Sequence, residues 1–206
     1  MIEYEANNLT TKQHYKFLTG SIIPRPIAWV TTFNKAKEVI NAAPFSYFSV
    51  IAKDLPLVSL SINRQPNQQM KDTAKNLSET NEAVIQIVND DVLELMNATA
   101  ATLSETESEL SNLPVTMIDS KKIAVPGIQE APIRLEVKVH QYIPITNNQT
   151  IISDLFILEI LHYSFSEDVF DADKEYILPE KLSPVARLAG ETYSHISNLI
   201  DIKRPK

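Results

Sequence analysis

Ile133-Arg-Leu-Glu-Val-Lys-Val139 alternates without a fault: Ile133, Leu135, Val137 and Val139 take one face, and Arg134, Glu136 and Lys138 take the other. Successive side chains on an extended backbone point to opposite faces, so a period of two marks a half-exposed strand. Leu57-Val-Ser-Leu-Ser-Ile62 repeats the pattern, with Val58, Leu60 and Ile62 set against Ser59 and Ser61. Working outward, Ile22 to Phe33, Val39 to Ala43, Ala83 to Val88 and Leu155 to Tyr163 read as further strands. Ile123 to Val125, Val185 to Leu188 and Tyr193 to Ile196 read as weaker ones.

Helices are fewer. Thr11 to Leu18 is one. Lys71 to Thr80 is another, with Asp72 or Thr73 as cap and Asn81 suited to its far end. Asp90 to Ala98 is capped by Asn89 or Asp90, and Glu105 to Leu110 starts after Ser104. No strand–helix rhythm repeats, which disfavours a doubly wound parallel sheet. The pattern predicts a mainly β chain, an antiparallel barrel with peripheral helices. Thr99 to Gln129 is the least regular stretch and reads as an excursion over a barrel edge or a partner subunit. With 206 residues and no repeat or linker, one domain over 1–206 is expected. The tail from Ser197 to Lys206 reads as a solvated basic end.

The net charge of −7 disfavours a nucleic-acid groove or an anionic membrane as partner, but leaves room for a small phosphorylated ligand. There is no cysteine, which removes disulfides, thiolate metal sites and thiol nucleophiles. Gly20, Gly127 and Gly190 are the only glycines. Glycine-rich dinucleotide loops and P-loops need clustered glycines, and neither motif can be built here. The N-terminal residues lack the basic start and apolar run of a signal peptide, so a cytoplasmic protein is expected. His14, His140, His162 and His195 have no metal-ligand spacing, and no Ser–His–Asp set can be named. Neither a metal nor a catalytic acid–base residue is assigned; His195 alone, beside a C-terminal motif, stays a distant candidate.

Three segments crowd polar and aromatic side chains into the first 77 residues. Gly20-Ser-Ile-Ile-Pro-Arg-Pro-Ile-Ala-Trp-Val-Thr-Thr32 ends a strand-like run on two hydroxyls. Thr31 and Thr32 would face opposite sides, one toward a ligand. Asn41-Ala-Ala-Pro-Phe-Ser-Tyr-Phe-Ser49 sets Phe45, Tyr47 and Phe48 among short hydrogen-bonders, either bordering a ring or simply filling a core. Lys71-Asp-Thr-Ala-Lys-Asn-Leu77 opens a helix, where unpaired N–H groups and the dipole favour phosphate. The plainer alternative is that Asp72 or Thr73 caps that helix and Lys71 is solvated. Arg64 offers a second cation. Together these segments suit flavin mononucleotide.

The same segments, in order, resemble the flavin reductase-like, FMN-binding split-barrel family, close to its flavoredoxin branch. The likeness continues through Met96-Asn-Ala-Thr-Ala100, Glu130-Ala-Pro-Ile-x-Leu-Glu136 and Leu182-x-Pro-Val-Ala-Arg-Leu-x-Gly190-x-x-Tyr193, and ends on Arg204-Pro205. The resemblance implies a six-stranded antiparallel split barrel and a homodimer with FMN near the dimer interface. It also implies roles by position. Thr31 and Thr32 would approach the flavin or its ribityl chain. Ala43, Pro44, Phe45, Ser46, Tyr47 and Phe48 would border the ring. Arg64, Lys71 and Thr73 would hold the phosphate, with Asn76 one turn on, and Arg187 and Tyr193 would help to close the site. The implied activity is hydride transfer from NADH or NADPH to FMN and onward to an acceptor, with an acceptor protein as a candidate partner. The alternatives are a non-enzymatic FMN electron carrier and a flavin-free split-barrel binding module.

Overall fold

The computed structural model describes residues 1–196 and 198–205; Ser197 and Lys206, the ends of the expected basic tail, lie outside them. Its elements run α1 (Thr11–Ser21), β1 (Arg25–Pro26), β2 (Ala28–Asn34), β3 (Val39–Phe45), β4 (Phe48–Ala52), β5 (Leu57–Asn63), α2 (Asp72–Thr80), β6 (Glu82–Ile87) and α3 (Leu93–Ala98). There follow β7 (Met117–Ile118), β8 (Gly127–Ile128), β9 (Ile133–Asn147), β10 (Thr150–Phe165), β11 (Phe170–Asp171), β12 (Tyr176–Ile177), α4 (Pro179–Leu182), β13 (Val185–Arg187) and β14 (Tyr193–His195).

Seven strands form one sheet in the order β3-β2-β6-β9-β10-β5-β4, every neighbouring pair antiparallel. The expected architecture holds: a mainly β split barrel with peripheral helices. The sheet has seven strands where the resemblance implied six. β4 is the additional segment that alternation missed, because Ser49, Val50 and Ile51 are all exposed and show no buried face. β1, β13 and β14 make a separate small sheet, ordered β1-β13-β14.

The barrel interior is filled by Val30, Leu60, Ile62, Ile85, Val137, Phe156 and Leu158, with Ala74 and Leu77 of α2 packed among them. A second cluster, around Trp29, Ala42, Met96, Ile128 and Val185, covers the other face of β2. β2 is therefore buried on both sides, which is why Ala28–Val30 runs apolar where a half-exposed strand would alternate, and why Thr31, Thr32 and Asn34 are buried as well.

Four expectations are corrected. Glu105–Leu110 is not helical; it is a run of turns lying along β3, where Ser108 Oγ donates to Ile40 O and Glu109 Oε2 accepts from Ala42 N (3.0 Å). Thr99 to Gln129 thus covers a barrel edge, and Glu109 satisfies a backbone donor that an edge strand leaves open. Ile123–Val125 is not a strand, because the chain there bends around the Glu136 carboxylate, which accepts from Lys121 N and Lys122 N (both 2.7 Å). Glu136 is consequently buried instead of facing solvent. Finally, neither Asp72 nor Thr73 caps α2. Lys71 occupies the N-cap position, without a side-chain cap, while Asn81 ends the helix in the left-handed conformation as its sequence suggested.

Candidate functional site

Asn41, Asn76 and Thr32 meet in the barrel wall and fix where the site begins. The Asn76 amide donates to Thr32 Oγ1 (3.0 Å) and Asn41 Oδ1 (3.1 Å), tying α2 to β2 and β3 with all three side chains buried. This brings Lys71, at the start of α2, beside Phe45, at the end of β3, with its ammonium 6.0 Å from the ring centroid. With no side chain capping α2, its first N–H groups stay available to an anion. Asp72, in the first turn, has its carboxyl pushed up by burial and then by Glu105.

Above Lys71 and Phe45 opens a pocket of about 820 Å³, well inside the range of small-molecule sites. Pro44, Phe45, Ile27, Met96 and Tyr193 give it apolar walls, and Ser46, Tyr47, Ser61, Asn63 and Asn97 give it hydrogen-bonders. Among the described residues, Lys71, Arg25 and Arg187 line it as cations, against a single carboxylate, Glu191. The Tyr47 phenol is pushed up by burial and by Tyr15, and stays a donor at neutral pH. Tyr193 is held by its hydroxyl, which donates to Asn97 Oδ1 (2.8 Å), and by Arg187 stacked over its ring at 4.4 Å. Gly190, at φ +62, makes the turn that brings β14 back beside β13 and so places this pair.

Of the residues expected at the site, Pro44, Phe45, Ser46, Tyr47, Lys71, Arg187 and Tyr193 line the pocket. Thr31, Thr32, Ala43, Phe48, Arg64, Thr73 and Asn76 do not. Thr31 donates to Pro126 O (2.8 Å), and Thr32 accepts from Asn76, so both hydroxyls are engaged inside the protein. Ala43 and Phe48 flank the lining segment from within β3 and β4, and Thr73 is buried in the first turn of α2. Arg64 is held by the fully buried Asp154 at 2.9 Å, with Tyr142 donating to the same carboxylate at 2.7 Å. Its charge is therefore matched in place.

Arg25 is the lining cation that the sequence reading did not assign to the site; Tyr15, Ser61, Asn63, Asn97 and Glu191 are further lining residues it left out. Two prolines beside Arg25 signalled extended backbone, and nothing signalled a buried cation. His195 Nδ1 lies 3.0 Å from Asp90 Oδ1 and His195 does not line the pocket. Among the described residues no group of acids and histidines could hold a metal ion, and no helix is long and apolar enough to cross a membrane.

The flavin reductase like domain model matches residues 19–179. The chain belongs to the flavin reductase-like family. The Bacillus subtilis (strain 168) protein YwrF is 42% identical to it over 206 residues, the whole of both chains. Nitrilotriacetate monooxygenase component B from Bacillus cereus superposes with a TM-score of 0.94 at 37% identity, covering 98% of each chain. Pseudomonas fluorescens 2-nitrobenzoate 2-nitroreductase NbaA gives a TM-score of 0.87 at 28% identity, covering 99% of this flavin reductase-like chain and 96% of its own.

Proposed function

We propose that the chain is an FMN-binding oxidoreductase of the flavin reductase type, acting as one domain over 1–206 in the cytoplasm. It takes a hydride from NADH or NADPH onto flavin and passes electrons to an acceptor. The observation that carries this reading is the pocket wall: an aromatic and apolar border beside an uncapped helix start bearing Lys71. Bound FMN would supply hydride acceptance and onward electron transfer. The protein's own contribution is placement and charge. Pro44 to Tyr47 border the ring, Lys71 and the first N–H groups of α2 hold the phosphate, and Tyr193 closes the pocket over the occupant. Thr32 and Asn76 act from behind, by fixing α2 against β2. The family's reductase members and the likeness to a monooxygenase component B support a role as electron supplier to a partner enzyme.

A homodimer is part of the same reading. β4 ends the sheet with Val50 76% exposed and Ile51 48% exposed, an apolar edge suited to a second copy.

The test is a visible absorption spectrum of the fresh protein, then anaerobic addition of NADH and NADPH. A yellow protein bleached by either nucleotide supports the reductase and gives its donor preference. A yellow protein that ignores both favours the electron carrier. A colourless protein that does not take up added FMN sinks the proposal.

A further inference from the structure

Arg25 and Arg187 are direct cross-strand partners in the antiparallel pair of β1 and β13. Directly opposed residues share a sheet face, and like charges there repel. Both side chains line the pocket. Among the described residues neither forms an ion pair.

The surroundings of Arg25 sharpen the point. Its Nη1 donates to Thr19 O (2.7 Å) and Ile22 O (2.8 Å), its Nη2 to Leu188 O (2.7 Å), and its Nε weakly to Ser46 Oγ (3.4 Å). A guanidinium carries five N–H donors, so one on Nη2 has no partner among these. Carbonyl and hydroxyl dipoles orient the group but do not cancel its charge, and Arg25 is only 7% exposed. Arg187 donates to Gly190 O and stacks on Tyr193, which fixes it equally without neutralising it. A buried cation with no counter-charge is costly, and a small sheet of three short strands is a poor place to keep one buried and one half-buried arginine side by side. Departures of this kind from local consistency belong to functional sites. An anion bound in the pocket would supply the counter-charge.

We propose that Arg25 and Arg187 form an oxyanion subsite for a phosphate group of a second ligand. Under the reading above, on which this identification rests, that group is the pyrophosphate of the nicotinamide nucleotide. The subsite draws on other elements than Lys71 does: the arginines stand on the β1–β13–β14 sheet, and the lysine stands at the start of α2. Planar guanidinium forks suit paired phosphate oxygens, whereas a lysine ammonium acts as a point charge. Two cation sites on different elements give each ligand its own anchor, so flavin can stay bound while the donor comes and goes.

The experiment compares wild-type protein with Arg187→Gln, Arg25→Lys and Lys71→Ala. Flavin fluorescence gives the FMN dissociation constant. Stopped-flow bleaching gives the half-saturating NADH and NADPH concentrations, and calorimetry of the FMN-loaded protein gives the affinity for inorganic pyrophosphate. Arg187→Gln should weaken nucleotide and pyrophosphate binding about tenfold, as for a lost charge-assisted contact, and FMN binding by much less, through the loosened Tyr193 ring alone. Lys71→Ala should do the reverse. Arg25→Lys should weaken pyrophosphate in the same direction as Arg187→Gln; Arg187 is half-buried, so its variant carries the test if Arg25→Lys fails to fold. If FMN affinity falls in step with pyrophosphate affinity in Arg187→Gln, the pair holds the flavin phosphate and the proposal is overturned. Unchanged pyrophosphate affinity overturns it as well. If neither nucleotide bleaches wild-type protein, the donor reading fails by itself; pyrophosphate binding that disappears in Arg187→Gln then still upholds the oxyanion subsite.

Discussion

Lys71 carries two duties at one position. As the N-cap residue of α2 it leaves the first N–H groups without a side-chain partner, and its ammonium sits over the Phe45 ring beside them. Lys71→Ala should weaken FMN retention by about 1.5–3 kcal/mol, the worth of a hydrogen bond to a charged group. A fluorescence titration that returns the wild-type dissociation constant would remove Lys71 from the phosphate site. Glu109 poses the opposite electrostatic case. Its carboxyl is pushed up by burial, with Asp72 adding to the effect, although Ala42 and Asn41 donate to it. The folded protein therefore holds this proton to higher pH than the unfolded chain does. Stability from this group is highest below the unfolded carboxylate range and falls as pH rises toward the raised folded value. Glu109→Gln keeps an acceptor for Ala42 N–H and removes the buried charge. Urea midpoints should show the variant gaining on wild type between about pH 4, near the ordinary carboxylate value, and neutral pH. A pH-independent difference would show that the carboxylate is not penalised in the fold.

At the scale of elements, α2 ends on Asn81 at φ 61, where its N–H donates to Leu77 O and its carbonyl accepts from Val139 N. A Cβ in this region costs about 1–2 kcal/mol except where asparagine, aspartate or glycine eases it. Asn81→Ala should lower stability by about 1 kcal/mol and Asn81→Gly should change it little, read from denaturant midpoints. Equal midpoints for alanine and wild type would contradict that account. Asn81 was legible in the sequence because its role is local. So were β5 and β6, within a residue at each end, and the stretches Ile133–Val139 of β9 and Leu155–Tyr163 of β10. Glu136 was not legible: it alternates like a surface residue, and only the distant segment around Lys121 and Lys122 buries it. The helix expected at Glu105–Leu110 failed for the same reason, since Glu109 and Ser108 find better partners on β3 than a helix would give them. In the site, Pro44 to Tyr47 and Lys71 were readable as local motifs. Arg25 was not, because its surroundings come from Thr19, Ile22, Ser46 and Leu188 at once.

Across the whole molecule, the two ends of the main sheet are treated differently. β3 is covered by the turns around Ser108 and Glu109, whereas β4 ends the sheet with its apolar side chains exposed. A single lysine on an open edge is a known means of blocking strand association. Val50→Lys should therefore shift the proposed homodimer toward monomer in light scattering across a dilution series. A wild-type mass equal to one chain, or a variant that stays dimeric, would place the interface elsewhere or remove it.

The bond from Arg25 to Leu188 joins positions 163 apart, while β2–β3, β4–β5 and β9–β10 are hairpins between sequence neighbours. Closing so long a loop is entropically expensive and comes late. The barrel wall, with Phe45 and Lys71 on it, can therefore assemble before Arg25, Arg187 and Tyr193 complete the pocket, and the full capacity to bind is acquired in the last step. A ligand resting in that late-completed pocket acts as a brake on the way out: FMN in the buffer should slow unfolding and leave the rate of folding almost untouched.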